Sequence, residues 1–195
     1  PQDDNNIQEN ERVYFTHQNA CNIDMMMYYI NNFVEEKYKA LLMGPLLVQC
    51  SIHNNTNGQF SAYYKNADKT KGMYGGKNNV DLKRICGEIT PKLPILSNKK
   101  ANVFVSQQDA NIWVKNIPEV DLMYYDPPYN KHPYNIYYFL LDIINNWDVN
   151  QEIPDTYRGQ PKNWKKSLYC SYTKAIKVFE QLIIDTKAKF ILISY

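Results

Sequence analysis

The sequence is poor in the features that define several large protein classes. No apolar run approaches the roughly 18 residues that a membrane-spanning helix needs, so no membrane partner is expected. There are three histidines, and the four cysteines lie far apart without a CxxC pair: Cys21, Cys50, Cys86 and Cys170. A zinc site or a disulfide framework is therefore not predicted, no metal is expected, and a reducing, cytoplasmic location is favoured.

Length and composition are those of an ordinary folded chain. Its 195 residues suit one domain, or a core domain with a small lobe. Hydrophobic residues make up 44% of the sequence, which is enough for a core. The net charge of +2 neither indicates nor excludes nucleic acid as a partner, because local patches of charge decide that question.

The first half reads as helices after a short leading segment. Residues 1–11 lack periodic apolar positions, and residues 1–20 are expected to be flexible or linking. From Ile23 to Leu41, apolar residues recur at spacings of three and four, which predicts a helix beginning near Asn22. Gly44-Pro45 is expected to end that helix, with Pro45 in the first turn of a second one.

Two basic stretches are candidate DNA contacts, although each could also be a solvated loop. In residues 53–90, Asn57-Gly58 predicts a tight hairpin turn, and lysines then outnumber acids. Residues 158–166 form a second basic stretch, R-G-Q-P-K-N-W-K-K. Lysine and arginine would bind phosphates, and asparagine would read base edges. The predicted contacts here are Asn57, Lys65, Lys77, Arg84, Arg158 and Lys162.

The second half alternates predicted strands and helices, which implies a parallel α/β sheet. Strands are expected at A-N-V-F-V-S (101–106), V-D-L-M-Y-Y (120–125) and K-F-I-L-I-S-Y (189–195). The central strand should be buried on both faces. Helices are expected near 112–117, 134–147 and 171–187. Ligands of such sheets lie beyond the carboxyl ends of the strands, where residues 126–129 fall.

The sequence Asp126-Pro127-Pro128-Tyr129 suits methylation of an exocyclic amine on a nucleic-acid base. The lone pair of such an amine is delocalised into the ring, and two acceptors aimed at its hydrogens make it more nucleophilic. The Asp126 carboxylate and the Pro127 carbonyl would be those acceptors, because prolines fix the backbone direction. Tyr129 would stack on a base flipped out of the duplex. The alternative is a simple turn at the end of a strand.

D-L-M-Y-Y-D-P-P-Y-N resembles motif IV of the amino-methyltransferases that use S-adenosylmethionine. The wider pattern is similar to Dam-type adenine DNA methyltransferases, particularly those of type II restriction–modification systems. The supporting segments are R-V-Y-F-T-H-Q-N-A-C-N-I-D (12–24), the turn near 55–60 and V-F-V-S-Q-Q-D-A (103–110). The resemblance implies a Rossmann-like core with a helical and hairpin DNA-recognition region.

Residue roles follow from the resemblance. Asp126, Pro127, Pro128 and Tyr129 would form the catalytic motif, followed by Asn130 as a DNA contact. Asp109, Ala110 and Asp126 would bind S-adenosylmethionine, although Ala110 replaces the family's frequent Phe. Asp109 on its own could equally be an ordinary cap. Residues 21–100 would hold the target-recognition region, and residues 101–195 the catalytic region.

One family feature is missing. The aromatic-x-Gly-x-Gly turn that approaches the cofactor's methionine part is not found in the sequence. The chain is therefore interpreted as the middle of a longer enzyme, inactive by itself. The predicted function is methylation of adenine N6 in duplex DNA with a flipped adenine, by an enzyme that is paired functionally with a restriction endonuclease. The alternatives are a cytosine-N4 or RNA base methyltransferase and a non-catalytic DNA-binding remnant.

Overall fold

The chain forms two compact units. A computed structural model describes residues 1–128, 131–148, 150, 152, 154–163 and 166–194, with the backbone alone for residue 77. The N-terminal unit comprises Pro1–Leu96 and Asn135–Asn163, and the C-terminal unit comprises Ser97–Tyr134 and Trp164–Tyr195. The predicted assignment of recognition and catalysis to ranges divided at residue 100 stays a prediction, but the compact units are not divided there: residues 135–163 belong to the N-terminal unit.

Eight helices and strands are found in the described part of the chain. In chain order they are α1 (His17–Phe33), α2 (Glu36–Ile52), α3 (Leu82–Ile85), α4 (Ala110–Asn116), β1 (Val120–Tyr125), α5 (Tyr134–Asn146), α6 (Ala175–Asp185) and β2 (Ala188–Ile193). Short 3-10 turns occur at Lys77–Asn79 and Leu168–Cys170. Among the helices in this part, none is both long enough and apolar enough to cross a lipid bilayer.

The core of the N-terminal unit gathers residues that are distant in sequence. Its buried cluster contains Val13, Tyr14, Phe15, Ile23, Met27, Ile30, Leu46, Cys50, Phe60, Tyr63, Ile89, Phe139 and Ile144. The predicted periodicity of α1 is confirmed, since Ile23, Met27 and Ile30 form its buried face. The predicted apolar helix near 134–147 is also confirmed as α5, which supplies the last two members of the cluster.

The start of the chain packs more closely against the N-terminal unit than the sequence predicts. Residues 1–11 contain no helix or strand, as expected. Residues 13–20 differ from the expected flexible segment because Val13 is fully buried and α1 begins at His17, not near Asn22. The hydroxyl of Thr16 accepts a hydrogen bond from the Asn19 backbone N–H at 3.2 Å, which caps the helix five residues earlier.

The predicted helix break at Gly44-Pro45 is wrong. The chain turns at Val34 and Glu35, both extended, and α2 continues through Pro45. Proline inside a helix costs about 3 kcal/mol, since it cannot donate the backbone hydrogen bond. Burial offsets this cost: Leu46 and Cys50 are both fully buried on α2, and a fully buried apolar side chain contributes roughly 1.5–3 kcal/mol.

The predicted hairpin around Asn57-Gly58 is not formed. Gly58 does turn the chain, with φ at +100°, but no strand ladder flanks it. The Arg84 guanidinium instead donates to the carbonyls of Ile52, Asn54 and Thr56, at 2.6, 2.9 and 2.6 Å. These bonds satisfy the three carbonyls without a second strand, and residues 53–56, which follow α2, stay irregular.

The C-terminal unit contains a small parallel sheet that packs against helices on one face. β1 pairs with β2 in parallel, from Val120 opposite Ala188 to Tyr125 opposite Ile193. α4 packs against α6, and the buried cluster consists of Val114, Met123, Tyr125 and Leu182. The predicted strands at 120–125 and near 189–195 and the predicted helices near 112–117 and 171–187 are thereby confirmed, with α6 shorter than expected. A parallel α/β arrangement is present, while the wider Rossmann-like core stays a prediction.

Two strand predictions fail. Residues 101–106 form no strand, and Val103, Phe104 and Val105 are 77%, 94% and 91% exposed. A strand needs a hydrogen-bonding neighbour, and no described residue pairs with this segment. β1 is not buried on both faces either, because Leu122 and Tyr124 are more than half exposed. One face of the two-stranded sheet is therefore open.

Candidate active site

The carboxyl ends of the two parallel strands place Asp126 at the edge of the sheet. β1 ends at Tyr125, whose carbonyl accepts a hydrogen bond from the Ser194 N–H at 2.9 Å, just after β2. Asp126 follows directly and is exposed. Within the described residues its carboxylate forms no ion pair and no side-chain hydrogen bond, so both oxygens are open to an incoming donor.

An open cavity of about 550 Å³ lies beside this strand end. Pro127, Pro128 and Lys131 line one part of it, and Ile193 at the end of β2 contributes another. The rest of the lining comes from Tyr169–Tyr172 and from residues of α6 up to Glu180. Apolar walls with a few polar groups, at the carboxyl ends of parallel strands, are typical of a ligand site.

Tyr169 forms the wall of the cavity that faces α4. The Ser167 hydroxyl accepts from the Tyr169 backbone N–H at 3.2 Å and starts the 3-10 turn. The Tyr169 hydroxyl donates to Asn111 Oδ1 at 2.6 Å, and Asn111 Nδ2 donates to the Val178 carbonyl at 2.9 Å. Sequence reasoning missed these residues, because nothing in L-Y-C-S-Y marks it as a cavity wall before the chain folds.

Tyr169 and Cys170 both favour their neutral forms. Burial raises the pKa of Tyr169 to about 12, and the nearby charges of Asp109 and Tyr125 add to the shift. Burial also raises the pKa of the Cys170 thiol. The part of the wall that these two side chains form is therefore uncharged at neutral pH, while Lys131 and Glu180 supply charge elsewhere in the lining.

Asp109 makes the contacts of a helix cap. Its Oδ1 accepts from the backbone N–H groups of Asn111 and Ile112, at 2.9 and 3.2 Å, and it precedes α4. Its other oxygen makes no hydrogen bond to a described residue. Ala110 opens the helix and packs against the cluster around Val114. The predicted cofactor contacts of Asp109, Ala110 and Asp126 stay predictions.

The end of the motif cannot be compared with its prediction. Tyr129, the expected stacking ring, and Asn130, an expected DNA contact, lie outside the described residues. The side chain of Lys77 also lies outside them. In the part of the chain that is described, no three residues among histidine, cysteine, aspartate and glutamate are grouped as a metal site would require.

The remaining predicted DNA contacts belong to the N-terminal unit and differ in their surroundings. Arg84 is engaged with three backbone carbonyls and lies 3.6 Å from Asp81, so its contacts are internal. Lys65 lies over the ring of Tyr157. Asn57, Arg158 and Lys162 are exposed. The DNA-binding role of all these residues stays a prediction.

Comparison with known proteins adds a second line of information. No protein-family model and no solved structure matches the chain. Curated proteins do match. The type II methyltransferase M.NlaIII of Neisseria lactamica is 30% identical over 192 residues, covering 95% of this chain and 52% of that protein. The type II methyltransferase M.FokI of Planomicrobium okeanokoites is 31% identical over 191 residues, covering 95% and 27%.

A viral relative extends the pattern. The type II methyltransferase M.CviAII of Paramecium bursaria Chlorella virus 1 is 28% identical over 188 residues, covering 94% of this chain and 51% of that protein. The chain thus spans about half the length, or less, of these relatives. The resemblance predicted from the motifs is confirmed: along nearly its whole length, this chain is similar to a part of type II methyltransferases.

Proposed function

We propose that the chain is part of a DNA methyltransferase that transfers a methyl group to the N6 amine of adenine in duplex DNA. The observation that carries the proposal is the exposed Asp126 carboxylate at the end of β1, with which no described residue pairs, beside the cavity of about 550 Å³. The similarity to type II methyltransferases supports the same reaction class. Those enzymes use S-adenosylmethionine as the methyl donor.

The proposed chemistry needs two acceptors at the amine. An Asp126 oxygen accepts one amine hydrogen, and the Pro127 carbonyl accepts the other, which localises the lone pair on nitrogen. The nitrogen would then attack the methyl group of S-adenosylmethionine, whose sulfur would leave with the electron pair of the broken bond, and the methylated amine would lose one proton to solvent. Because a paired base cannot reach the strand end, the target adenine is flipped out of the duplex, with Tyr129 stacked on it.

The other roles complete the proposal. Asp109, Ala110 and Asp126 contact S-adenosylmethionine, and Asn57, Lys65, Lys77, Arg84, Asn130, Arg158 and Lys162 contact DNA. The whole protein acts as the modification enzyme of a restriction–modification system in the cytoplasm, beside an endonuclease of the same specificity. Residues 101–195 carry catalysis and residues 21–100 carry target recognition.

The test is methylation of genomic DNA by the full-length protein with labelled S-adenosylmethionine, followed by identification of the modified base. We expect N6-methyladenine, and Asp126→Ala should lower the rate at least about 100-fold, as the loss of a hydrogen bond made to the reacting group does. Duplex affinity should stay within about twofold of wild type, since the flipped base is the one part of the DNA that Asp126 is expected to contact.

Asp121→Ala is the matched control. Asp121 lies on the same strand, but its side chain is 84% exposed and paired with Lys189 at 2.6 Å. This variant should keep wild-type activity. Label on cytosine N4 instead of adenine would overturn the choice of base, and substantial transfer by Asp126→Ala would overturn the role of this carboxylate.

A further inference from the structure

Tyr157 brings three basic residues together in the N-terminal unit. The Lys65 Nζ lies 3.2 Å from the centre of the Tyr157 ring and 5.3 Å from that of Tyr63. The Tyr157 hydroxyl donates to the backbone carbonyl of Lys69 at 3.1 Å. Arg158 is the next residue along the chain. The Lys65 ammonium, the Lys69 backbone and the segment that carries Arg158 are therefore gathered around the Tyr157 side chain.

The segment carrying Arg158 is fixed from several sides. Arg12 donates to the carbonyls of Pro154 and Thr156 at 3.1 and 2.9 Å. The Gln160 side chain donates to the carbonyl of Ser61 at 2.9 Å. The buried Tyr14 hydroxyl donates to the carbonyl of Arg158 at 3.1 Å. These bonds hold the Arg158 backbone beside the Lys65 segment instead of leaving it in a free loop.

The backbone at Lys69 is also unusual. Its φ is +58°, in the left-handed region that residues with a side chain rarely adopt. Asn66 stabilises the turn, since its side-chain oxygen accepts from the N–H groups of Thr70 and Lys71, at 3.0 and 3.2 Å. This turn fixes the Lys69 backbone, whose carbonyl accepts the hydrogen bond from the Tyr157 hydroxyl.

The three cations lack compensating charge. None of Lys65, Lys69 and Arg158 forms an ion pair with a carboxylate in the described residues. Burial lowers the pKa of Lys65, and the charges of Arg158 and Lys69 lower it further. The cluster is therefore under mutual repulsion, which an anion bound among the three side chains would relieve.

We propose that Lys65, Lys69 and Arg158, arranged around Tyr157, bind the phosphate backbone of DNA. This inference rests on the proposed function, which supplies duplex DNA as the ligand. It adds Lys69 and Tyr157 to the predicted contacts and joins Lys65 and Arg158 into one site. Contacts to phosphates carry no sequence information, so the site holds the duplex in position and does not read bases.

The test is the salt dependence of duplex binding by the full-length protein. Each lost phosphate contact should reduce the slope of log affinity against log salt concentration by about 0.9. Lys69→Gln and Arg158→Gln, measured separately, should each show this change, and the double variant should lose about twice as much. The loss of affinity should be the same for cognate and unrelated duplexes.

Lys37→Gln is the control. Lys37 is an exposed lysine of the same unit that is paired with Glu35 at 2.8 Å, so its removal should leave the slope unchanged. Lys65→Gln is tested together with a thermal melt, because it also removes the contact with the Tyr157 ring. Lys69→Gln and Arg158→Gln decide the question even if that variant unfolds.

The two proposals fail in different ways. Wild-type slopes in Lys69→Gln, Arg158→Gln and the double variant would overturn the phosphate site, even if adenine methylation is observed. Reduced slopes in these variants, in a protein that transfers no methyl group, would support the phosphate site and overturn the proposed methyltransferase function. Binding of inorganic phosphate to the cluster, together with a duplex affinity that none of the substitutions changes, would also overturn the site.

Discussion

Tyr169 connects two groups of residues with different proposed roles. Its ring lines the cavity that also contains Pro127 and Pro128. Its hydroxyl bonds to Asn111, which lies in the first turn of the helix capped by Asp109. A change in the position of the Asp109 cap would therefore be transmitted through Asn111 to the cavity wall. In the proposed enzyme this joins a cofactor contact to the base pocket through two hydrogen bonds, both made by Asn111.

The environment of the Tyr169 hydroxyl can be measured through its effect on stability in alkali. Its pKa in the folded state is about 12, raised chiefly by burial, against about 10 for an unfolded tyrosine. The neutral phenol is favoured by folding, so its contribution is complete below pH 10 and is lost as the pH rises towards 12. We expect Tyr169→Phe to lose less stability than wild type between pH 9 and pH 11.5, measured by urea denaturation.

Tyr172→Phe serves as the comparison, because that ring is 97% exposed. It should show the full wild-type loss of stability in alkali. Other tyrosines with raised pKa values, such as Tyr14 and Tyr74, contribute equally to all three proteins and cancel in the comparison. Identical pH profiles for wild type and Tyr169→Phe would contradict the assigned environment of Tyr169.

Single residues differ in how well sequence predicts their surroundings. Asp126 was placed correctly at an exposed strand end, because a buried apolar run followed by two prolines leaves few other conformations. Arg84 was predicted as a DNA contact from its charge alone, yet its guanidinium binds three carbonyls. Sequence shows that a group can donate hydrogen bonds, and only the folded chain shows which acceptors are nearest.

Helix α2 tests how local preference competes with packing. Gly44 lies in the middle of this helix, and a Cβ added there would meet no atom within 4 Å apart from its chain neighbours and the helix's own backbone. Glycine in a helix costs about 0.5–1 kcal/mol relative to alanine, but a Cβ on the residue before Pro45 crowds the proline ring. We therefore expect Gly44→Ala to raise the free energy of unfolding by less than that amount, as measured by chemical denaturation.

The same substitution at Gly72 should have the opposite sign. A Cβ there would collide with the side chain of the fully buried Val13, whose Cβ atom lies only 2.6 Å away. Gly72→Ala is expected to destabilise the protein by about 1–3 kcal/mol through overpacking. Equal effects of the two substitutions would show that the approach of Gly72 to Val13 is not as close as described.

Whole elements were predicted where periodicity and burial agree. β1, β2, α4, α5 and α6 each combine an apolar pattern with a packing partner in the described structure. The strand expected at 101–106 has the β-branched composition but no pairing partner, so composition alone misled. The break expected at Gly44-Pro45 failed for the opposite reason, because burial of neighbouring side chains outweighed a local signal.

At the scale of the molecule, the N-terminal unit depends on a distant segment. Phe139 and Ile144 are buried in its core, and Trp147 packs against that core. We expect a protein ending at residue 100 to lack a cooperative thermal transition and to bind a hydrophobic dye, because the core contacts of α5 are absent. Circular dichroism and dye fluorescence would measure this.

Adding a peptide of residues 135–163 to the shortened protein is the matching control. The peptide should restore part of the cooperative transition, because it supplies the missing core residues of α5. A protein of residues 1–100 that melts cooperatively by itself would contradict the discontinuous unit. The predicted boundary at residue 100 was reasonable from composition, which changes there, but composition does not show which core a later helix joins.

This interrupted connectivity also has a consequence during synthesis on the ribosome. The first unit must wait, after residue 96, for Trp147 to be translated before its interior is complete. That is about 50 residues, or roughly 3–10 s at the usual rate of elongation. For those seconds the nascent chain exposes hydrophobic helix faces to its surroundings. We therefore expect it to bind chaperones that hold unfinished polypeptides.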